Sequence, residues 1–286
     1  MSKLFNALTI AGSDSSGGAG IQADIKAFSA NGVYGMSIIT AITAQNTQGV
    51  FEIMDVTPEI IEKQIEVIFN DIEVGAIKIG MVSKIESIEA ISNALGRVEK
   101  LPQIVLDPVM ISKSGFKLLS DDAKNTLIEK LIPIATLITP NLPEAEELLG
   151  REILTIEDMK KAACDLKKLG AKNVLIKGGH LEGEATDILY DGENFTLFDE
   201  ERIDTKHTHG TGCTLSSAIT ANLSKGMNIV DSVRFGKEYI TGAIKNGFEL
   251  GKGVGPTHHF YKFESVKLLW KNSLTILKIT RSLKII

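Results

Sequence analysis

Between His207 and Leu223 the chain reads HTHGTGCTLSSAITANL, with Gly210 and Gly212 directly ahead of Cys213 and an apolar helical pattern behind it. Glycines carry no Cβ, so several backbone N–H groups can converge there, and the helix that begins at this point adds the positive end of its dipole. Such a loop suits an anion, with Gly210, Thr211 and Gly212 as the donors and a phosphate as the natural guest. Cys213 falls in the first helical turn, where the same field is expected to favour the thiolate and lower the thiol from its reference of about 8.5. A cysteine so placed could act as a base. A glycine-capped helix with a small buried cysteine would carry the same letters, so the rest of the chain must decide.

Two further segments bear chemistry. In TPNLPEAEELLG, Thr139 to Gly150, Asn141 and Glu144 stand three apart at the start of a helix that follows a strand. An amide and a carboxylate at that spacing suit a hydrated Mg²⁺ ion, which takes few protein ligands; an Asn cap with acids complementing the dipole is the alternative. Lys177, in NVLIKGGH, ends an apolar strand before two glycines, where an ammonium could reach a nucleotide phosphate or simply snorkel to solvent. G-A-G-I-Q-A, Gly18 to Ala23, fits the dinucleotide fingerprint only in part, because the second strand ends in TAQNTQGV with Gln45 and no carboxylate nearby. No Walker-type G-x-x-x-x-G-K-[ST] sequence occurs. His207, His209, His258 and His259 show no convincing metal spacing and are expected to be structural. Cys164, on a helical apolar face, is expected in the core.

Positioning these residues requires a scaffold, and the pattern supplies one. NALTIA, YGMSIITAI, GAIKI, QIVLDP, ATLITP and NVLIK are short apolar runs ending near Gly, Pro or Asn, alternating with segments of helical period. They predict an α/β fold, a mostly parallel sheet with helices on both faces. One helix is expected from about Gly20 and another from Thr57 with Pro58 in its first position. Ser83 with Glu86, and Thr155 with Asp158, read as capping boxes, and Ser120 as a further cap. TDILYDGENFTLF places two apolar runs around Asp191-Gly192, a hairpin dipeptide. Ligands of open α/β sheets bind beyond the carboxyl ends of the strands, where Gly12, Asp14, Gln45, Gly80, Asp107, Asn141 and Lys177 fall.

With 286 residues, 43% hydrophobic and 23% charged, one large domain is expected. A net charge of -5 gives no footprint for nucleic acid. Two cysteines make a disulfide framework improbable and fit a reducing cytoplasm. The N-terminal MSKLFNALTIAG runs into a glycine-rich turn as a first strand would, and the uncharged stretch Ala27 to Phe51 has too short an apolar core to span a membrane.

In this order the segments ALTIAGSDSSGGAGIQADIKAF, TAQNTQGV, KIGM, LDPVMISKSG, LITPNLPEAEEL, IKGGHL, THGTGCTLSSA and GKGVGPTHHF closely resemble the hydroxymethylpyrimidine and phosphomethylpyrimidine kinases of thiamin biosynthesis, within the ribokinase-like superfamily. The resemblance runs from about Asn6 to Phe263 and implies a three-layer αβα sandwich. It implies transfer of the ATP γ-phosphate to 4-amino-5-hydroxymethyl-2-methylpyrimidine, then to its monophosphate. Gly12, Asp24, Gln45, Met81 and Val109 would surround the pyrimidine. Gly210 to Cys213 would hold the transferring phosphoryl group, with Cys213 as base; Lys177 and Asn141 would meet the nucleotide phosphates, and Asn141, Glu144 and Asp107 would organise Mg²⁺. Homodimerisation is what the family suggests. Lys113-Ser114-Gly115 is expected on a flap over the substrate. Pyridoxal or pyridoxine kinases share the glycine and cysteine segments and are the nearest alternative; a non-catalytic relative is disfavoured by intact Cys213, Asn141, Glu144 and Lys177. Residues 264–286 lie outside the resemblance and carry +4, leaving -9 for the 263 residues before them. No function follows from that tail.

Overall fold

The computed structural model describes residues 4–110, 119–179 and 185–263. Nine strands are present among them: β1 (Asn6–Asp14), β2 (Tyr34–Asn46), β3 (Gly49–Asp55), β4 (Ala76–Ile79), β5 (Gln103–Leu106), β6 (Leu137–Ile138), β7 (Asn173–Ile176), β8 (Asp187–Tyr190) and β9 (Phe195–Phe198). They form one sheet in the order β3-β2-β1-β4-β5-β6-β7-β8-β9. The six from β2 to β7 pair in parallel, and β3, β8 and β9 join antiparallel at the two edges. The expected hairpin at Asp191-Gly192 is the β8–β9 connection, with Gly192 at φ +108°.

Strand alternation sorts two cores. Leu8, Ile10, Ile77, Ile79, Ile104 and Leu106 face one side, where they meet α2 (Pro58–Phe69), α3 (Ile85–Gly96), α4 (Asp121–Lys130), α5 (Leu142–Leu149) and α6 (Ile156–Lys168). The intervening positions are smaller. Ala76, Val105, Leu137 and Leu175 face α7 (Thr211–Ser224) and α8 (Ile229–Lys245), and α1 (Gly20–Ala30) packs on α7 through Ala27, Phe28, Ala218 and Ala221. Every residue of α7 from Thr214 to Leu223 is buried, and most are Ser, Thr or Ala. Small side chains let the helix lie tightly between sheet, α1 and α8, so its N-terminus is fixed at the carboxyl edge of the central strands.

Local signals held at several ends. Pro58 opens α2, Thr155 caps α6 by accepting from the Asp158 amide, and Ser120 caps α4 by accepting from the Ala123 amide. Two differ from expectation. β3 is an edge strand with Phe51, Glu52 and Met54 exposed, and Glu52 breaks the apolar run that marks a buried strand. Ser83 does not cap α3, which starts after Lys84; its hydroxyl donates instead to Asp55, at the end of that same unforeseen strand. The expected flap at Lys113-Ser114-Gly115 and the tail 264–286 lie outside the described residues.

Candidate active site

Two glycine loops meet above the sheet. In the turn after β1, buried Asp14 accepts from the Ser16 amide and hydroxyl (both 2.8 Å), the Gly18 amide (3.1 Å), the Ala19 amide (2.8 Å) and His209 Nε2 (2.8 Å). Burial alone would raise its carboxyl, but these donors, led by His209, hold it below the usual range. The arrangement ties the 14–20 turn to the loop before α7. Gly210, the N-cap of α7, has φ +78°, and a Cβ there would overlap the Gly18 carbonyl oxygen. Only glycine satisfies both the left-handed backbone and the contact.

Cys213 is the third residue of α7, as its spacing predicts. The thiol does not follow the expected direction. Part of the residue is accessible, yet burial around the sulfur pushes the thiol up to about 11. Lys78 and the Gly20 amide oppose that rise, while Asp24 and Asp107 add to it. The helix terminus is present, but desolvation and two carboxylates outweigh it.

On the far side of α7's N-terminus stands Lys177, just past β7. Its Nζ lies 2.9 Å from Asp107 Oδ1 and 3.9 Å from Glu144 Oε2. Asp107 also accepts from Thr139 Oγ1 at 3.0 Å. Burial would raise Asp107, but Lys177 and Lys78 hold it down. Glu144 goes the other way: burial pushes it up to about 7, against the pull of Lys177 and with added repulsion from Asp107. Asn141 and Glu144 form a complete capping box, Asn141 Oδ1 accepting from the Glu144 amide and Glu144 Oε2 from the Asn141 amide, each at 2.8 Å. Asn141's amide oxygen thus serves as the helix cap, the alternative that its spacing to Glu144 also allowed. Among the described residues no group of three or more His, Cys, Asp or Glu is arranged to hold a metal ion. A cleft of about 660 Å³ opens beside this corner, lined in part by Asn141, Glu144, Lys124 and Arg151.

Of the residues expected around the heteroaromatic ring, Met81 sits over Gly12, its sulfur 3.3 Å from where a Gly12 Cβ would be. Val109 is half-buried in the turn that also carries Asp107. Gln45 Oε1 accepts from Thr43 Oγ1 at 3.2 Å, and Gln45 Nε2 lies 3.4 Å from His209 Nε2. Asp24 is the exception. Its side chain is wholly enclosed and takes Thr9 Oγ1 (2.6 Å), Ser217 Oγ (2.7 Å) and Lys78 Nζ (2.8 and 3.0 Å), so it lies beneath the site rather than lining it. Sequence reasoning missed Lys78, although a lysine inside the apolar strand AIKI is itself a signal. His209, expected to be structural, ties the loop before α7 to Asp14 and lies beside Gln45.

His259 carries a structural consequence. It is 5% exposed, its Nε2 is 3.0 Å from Thr214 Oγ1 on the first turns of α7, and burial pushes it down to about 4 from 6.5. Because the folded value is depressed, the unfolded chain binds more protons between those values, and stability present above pH 6.5 is lost as pH falls toward 4. Urea unfolding of wild type against His259→Gln should show ~3 kcal/mol less acid loss in the variant over that window. Equal acid sensitivity would refute it.

A mostly parallel sheet that carries a glycine-led helix terminus and a lysine–carboxylate cluster beyond its strand ends, with no Walker loop, is the architecture of the ribokinase-like kinases. The phosphomethylpyrimidine kinase family matches residues 14–258, and the chain belongs to it. It is 51% identical over 261 residues to a hydroxymethylpyrimidine/phosphomethylpyrimidine kinase of Rhizobium meliloti, covering 90% of this chain and 97% of that protein. The phosphomethylpyrimidine kinase of Clostridium difficile superposes with a TM-score of 0.75 at 54% identity, over 84% of this chain and 99% of that one. The pyridoxal kinase of Staphylococcus aureus in complex with AMP-PCP and pyridoxal gives 0.82 at 36% identity, over 91% and 95%.

Proposed function

We propose that this enzyme transfers the γ-phosphoryl group of ATP to the hydroxymethyl oxygen of 4-amino-5-hydroxymethyl-2-methylpyrimidine, and then a second phosphoryl group to the monophosphate. One observation carries the reading beyond family membership. A Cβ on Gly212 would stand 3.4 Å from both Lys177 Nζ and Asp107 Oδ2, so the amides of α7, the ammonium and the carboxylate converge on one small volume. Residues 1–263 act as one kinase domain in this reading, placed in the cytoplasm in keeping with two free thiols.

The Gly210 to Cys213 amides hold the phosphoryl oxygens, and Lys177 neutralises charge that develops on them and on the leaving ADP. As the substrate oxygen bonds to phosphorus and the bond to ADP breaks, the hydroxyl proton passes to the Cys213 thiolate, the minor form of a thiol that burial holds up near 11. Gln45 reads the ring edge with one donor and one acceptor, and Met81 and Val109 wall it. The oxygen-rich corner fits Mg²⁺, an ion satisfied by one or two carboxylates and phosphates. Asp107 and Glu144 would hold it, since a carboxyl that burial keeps near 7 gains most from a nearby cation. Bound there, the ion would shield the phosphate charge.

Product formation is measured with the pyrimidine, its monophosphate and pyridoxal offered separately with ATP and Mg²⁺. Turnover of both pyrimidines supports the proposal, and turnover of pyridoxal alone would overturn it in favour of the vitamin B6 reaction. Cys213→Ala should lower kcat by about 10²-fold with substrate KM nearly unchanged, as loss of a general base does; an unchanged kcat removes the thiol from the mechanism.

Self-association is part of the same reading. Ile42 and Met54 are register partners on β2 and β3, both exposed, and Phe51 is exposed on the same edge strand as Met54, so the sheet edge carries apolar surface. Light scattering should give a dimer that Met54→Lys converts to monomer, and a monomeric wild type would refute it.

A further inference from the structure

A buried charged pair contacts α7 one turn beyond Cys213 and takes no part in the chemistry described above. Lys78 occupies the centre of β4, whose four positions are all buried, and its side chain is 0% exposed. Alternation turns it toward α7, between Ile77 and Ile79 on the opposite core. Its Nζ reaches the end of the strand, where a Cβ on Gly80 would overlap it. There it meets both oxygens of Asp24, which also accepts from Thr9 and from Ser217. Asp24 therefore holds four hydrogen bonds, about as many as a carboxylate can accept.

Ser217 stands four residues after Cys213 on α7, and residues so spaced lie one above the other on the same face. The contact from Ser217 to Asp24 thus places the ion pair one helical turn below the sulfur. A buried lysine and carboxylate cost several kcal/mol each to desolvate, and apolar residues of similar volume are often as stable, so the pair is weakly explained by stability.

We infer that Lys78 is a positioning residue for Cys213: its ammonium, held in place by Asp24, supplies the positive charge that makes the proton acceptor available. The charges facing the sulfur are Lys78 from β4, Asp24 from α1, Asp107 after β5 and Lys177 after β7. Lys78 opposes the burial that drives the thiol up, while Asp24 and Asp107 reinforce it. The inference rests on Cys213 acting as the base, but its test does not require turnover.

The rate of iodoacetamide alkylation at Cys213, resolved by peptide mass spectrometry from that at Cys164, is followed against pH in the intact apo-protein. Only the thiolate reacts, so the curve reports its population. Lys78→Met should slow alkylation at pH 8 by about tenfold and move the midpoint upward. Asp24→Asn should speed it and move the midpoint downward, since one negative charge leaves while Asp107 and the Cys213 thiolate itself still favour the buried ammonium. The double variant Asp24→Asn, Lys78→Met should fall below Asp24→Asn alone by about tenfold at the same pH. Because Lys78→Met strands a buried carboxylate and is the variant most at risk of unfolding, the comparison of Asp24→Asn with the double variant, which differ only in the lysine charge, decides the matter. Coincident midpoints in these two folded proteins would overturn the inference. If instead the midpoints separate while Cys213→Ala keeps full turnover, the electrostatic role stands and the base assignment falls.

Discussion

Lys177→Met should reduce kcat/KM about 10²- to 10³-fold, the loss expected when one preorganised charge donor is removed from a phosphoryl-transfer site. The lysine is mostly buried, lies 2.9 Å from Asp107 and faces the α7 terminus across Gly212. Its own proton is secure: burial alone would lower it, but Asp107 and Glu144 outweigh that and raise it. The ammonium is therefore charged at every pH at which the enzyme works. Removing it also frees two carboxylates from the group that restrains them, so Asp107 and Glu144 both move upward. The deficit should lie mainly in kcat, with KM for the pyrimidine nearly unchanged, because Gln45, Met81 and Gly12 are untouched. Steady-state kinetics with a melting curve of the same sample separates lost chemistry from lost fold. A folded variant within about threefold of wild type would show that Lys177 serves the buried carboxylates rather than the phosphate.

Much of the fold could be read from the chain because the signals were local. A buried parallel strand announces itself as a short run of Ile, Val and Leu, and six did so; Pro58, Ser120 and Thr155 marked helix starts that need only their own neighbours. What escaped depended on distant partners. β3 is a strand because β2 is there to pair with it, not because GVFEIMD is apolar on one face. Ser83 reads as a cap until Asp55, 28 residues earlier, takes its hydroxyl. The site divides the same way. Glycines before α7 and the lysine after β7 were legible, since each announces a backbone geometry or a charge at a strand end. The thiol's direction was not, because it is set first by burial, which Lys78 opposes and Asp24 and Asp107 reinforce, all arriving from other elements. Asp24 was placed against the substrate on resemblance, and only packing reveals that Thr9, Lys78 and Ser217 enclose it.

Gly210→Ala is expected to abolish most of the turnover. A left-handed backbone costs a residue with a Cβ about 1–2 kcal/mol, and in a domain of this size that alone lowers Tm by a few degrees. The larger effect comes from the Gly18 carbonyl oxygen, which a Cβ would overlap. That oxygen is backbone and cannot rotate aside. Either the 14–20 turn retreats, pulling Asp14 from His209, or α7 tips and its amides no longer aim at the phosphoryl group. With more than one donor displaced, each worth about 10²-fold or more, turnover should fall below about a thousandth of wild type. Gly226→Ala is the matched control. Gly226 has φ +83° just beyond the other end of α7, with nothing within 4 Å of where its Cβ would go. It bears the same backbone strain without the collision, so it should lose comparable intrinsic stability and keep its activity. Equal turnover in the two variants would mean that the contact between the glycine loops does not set the anion site; loss confined to Gly210→Ala would locate catalytic alignment in that single close approach.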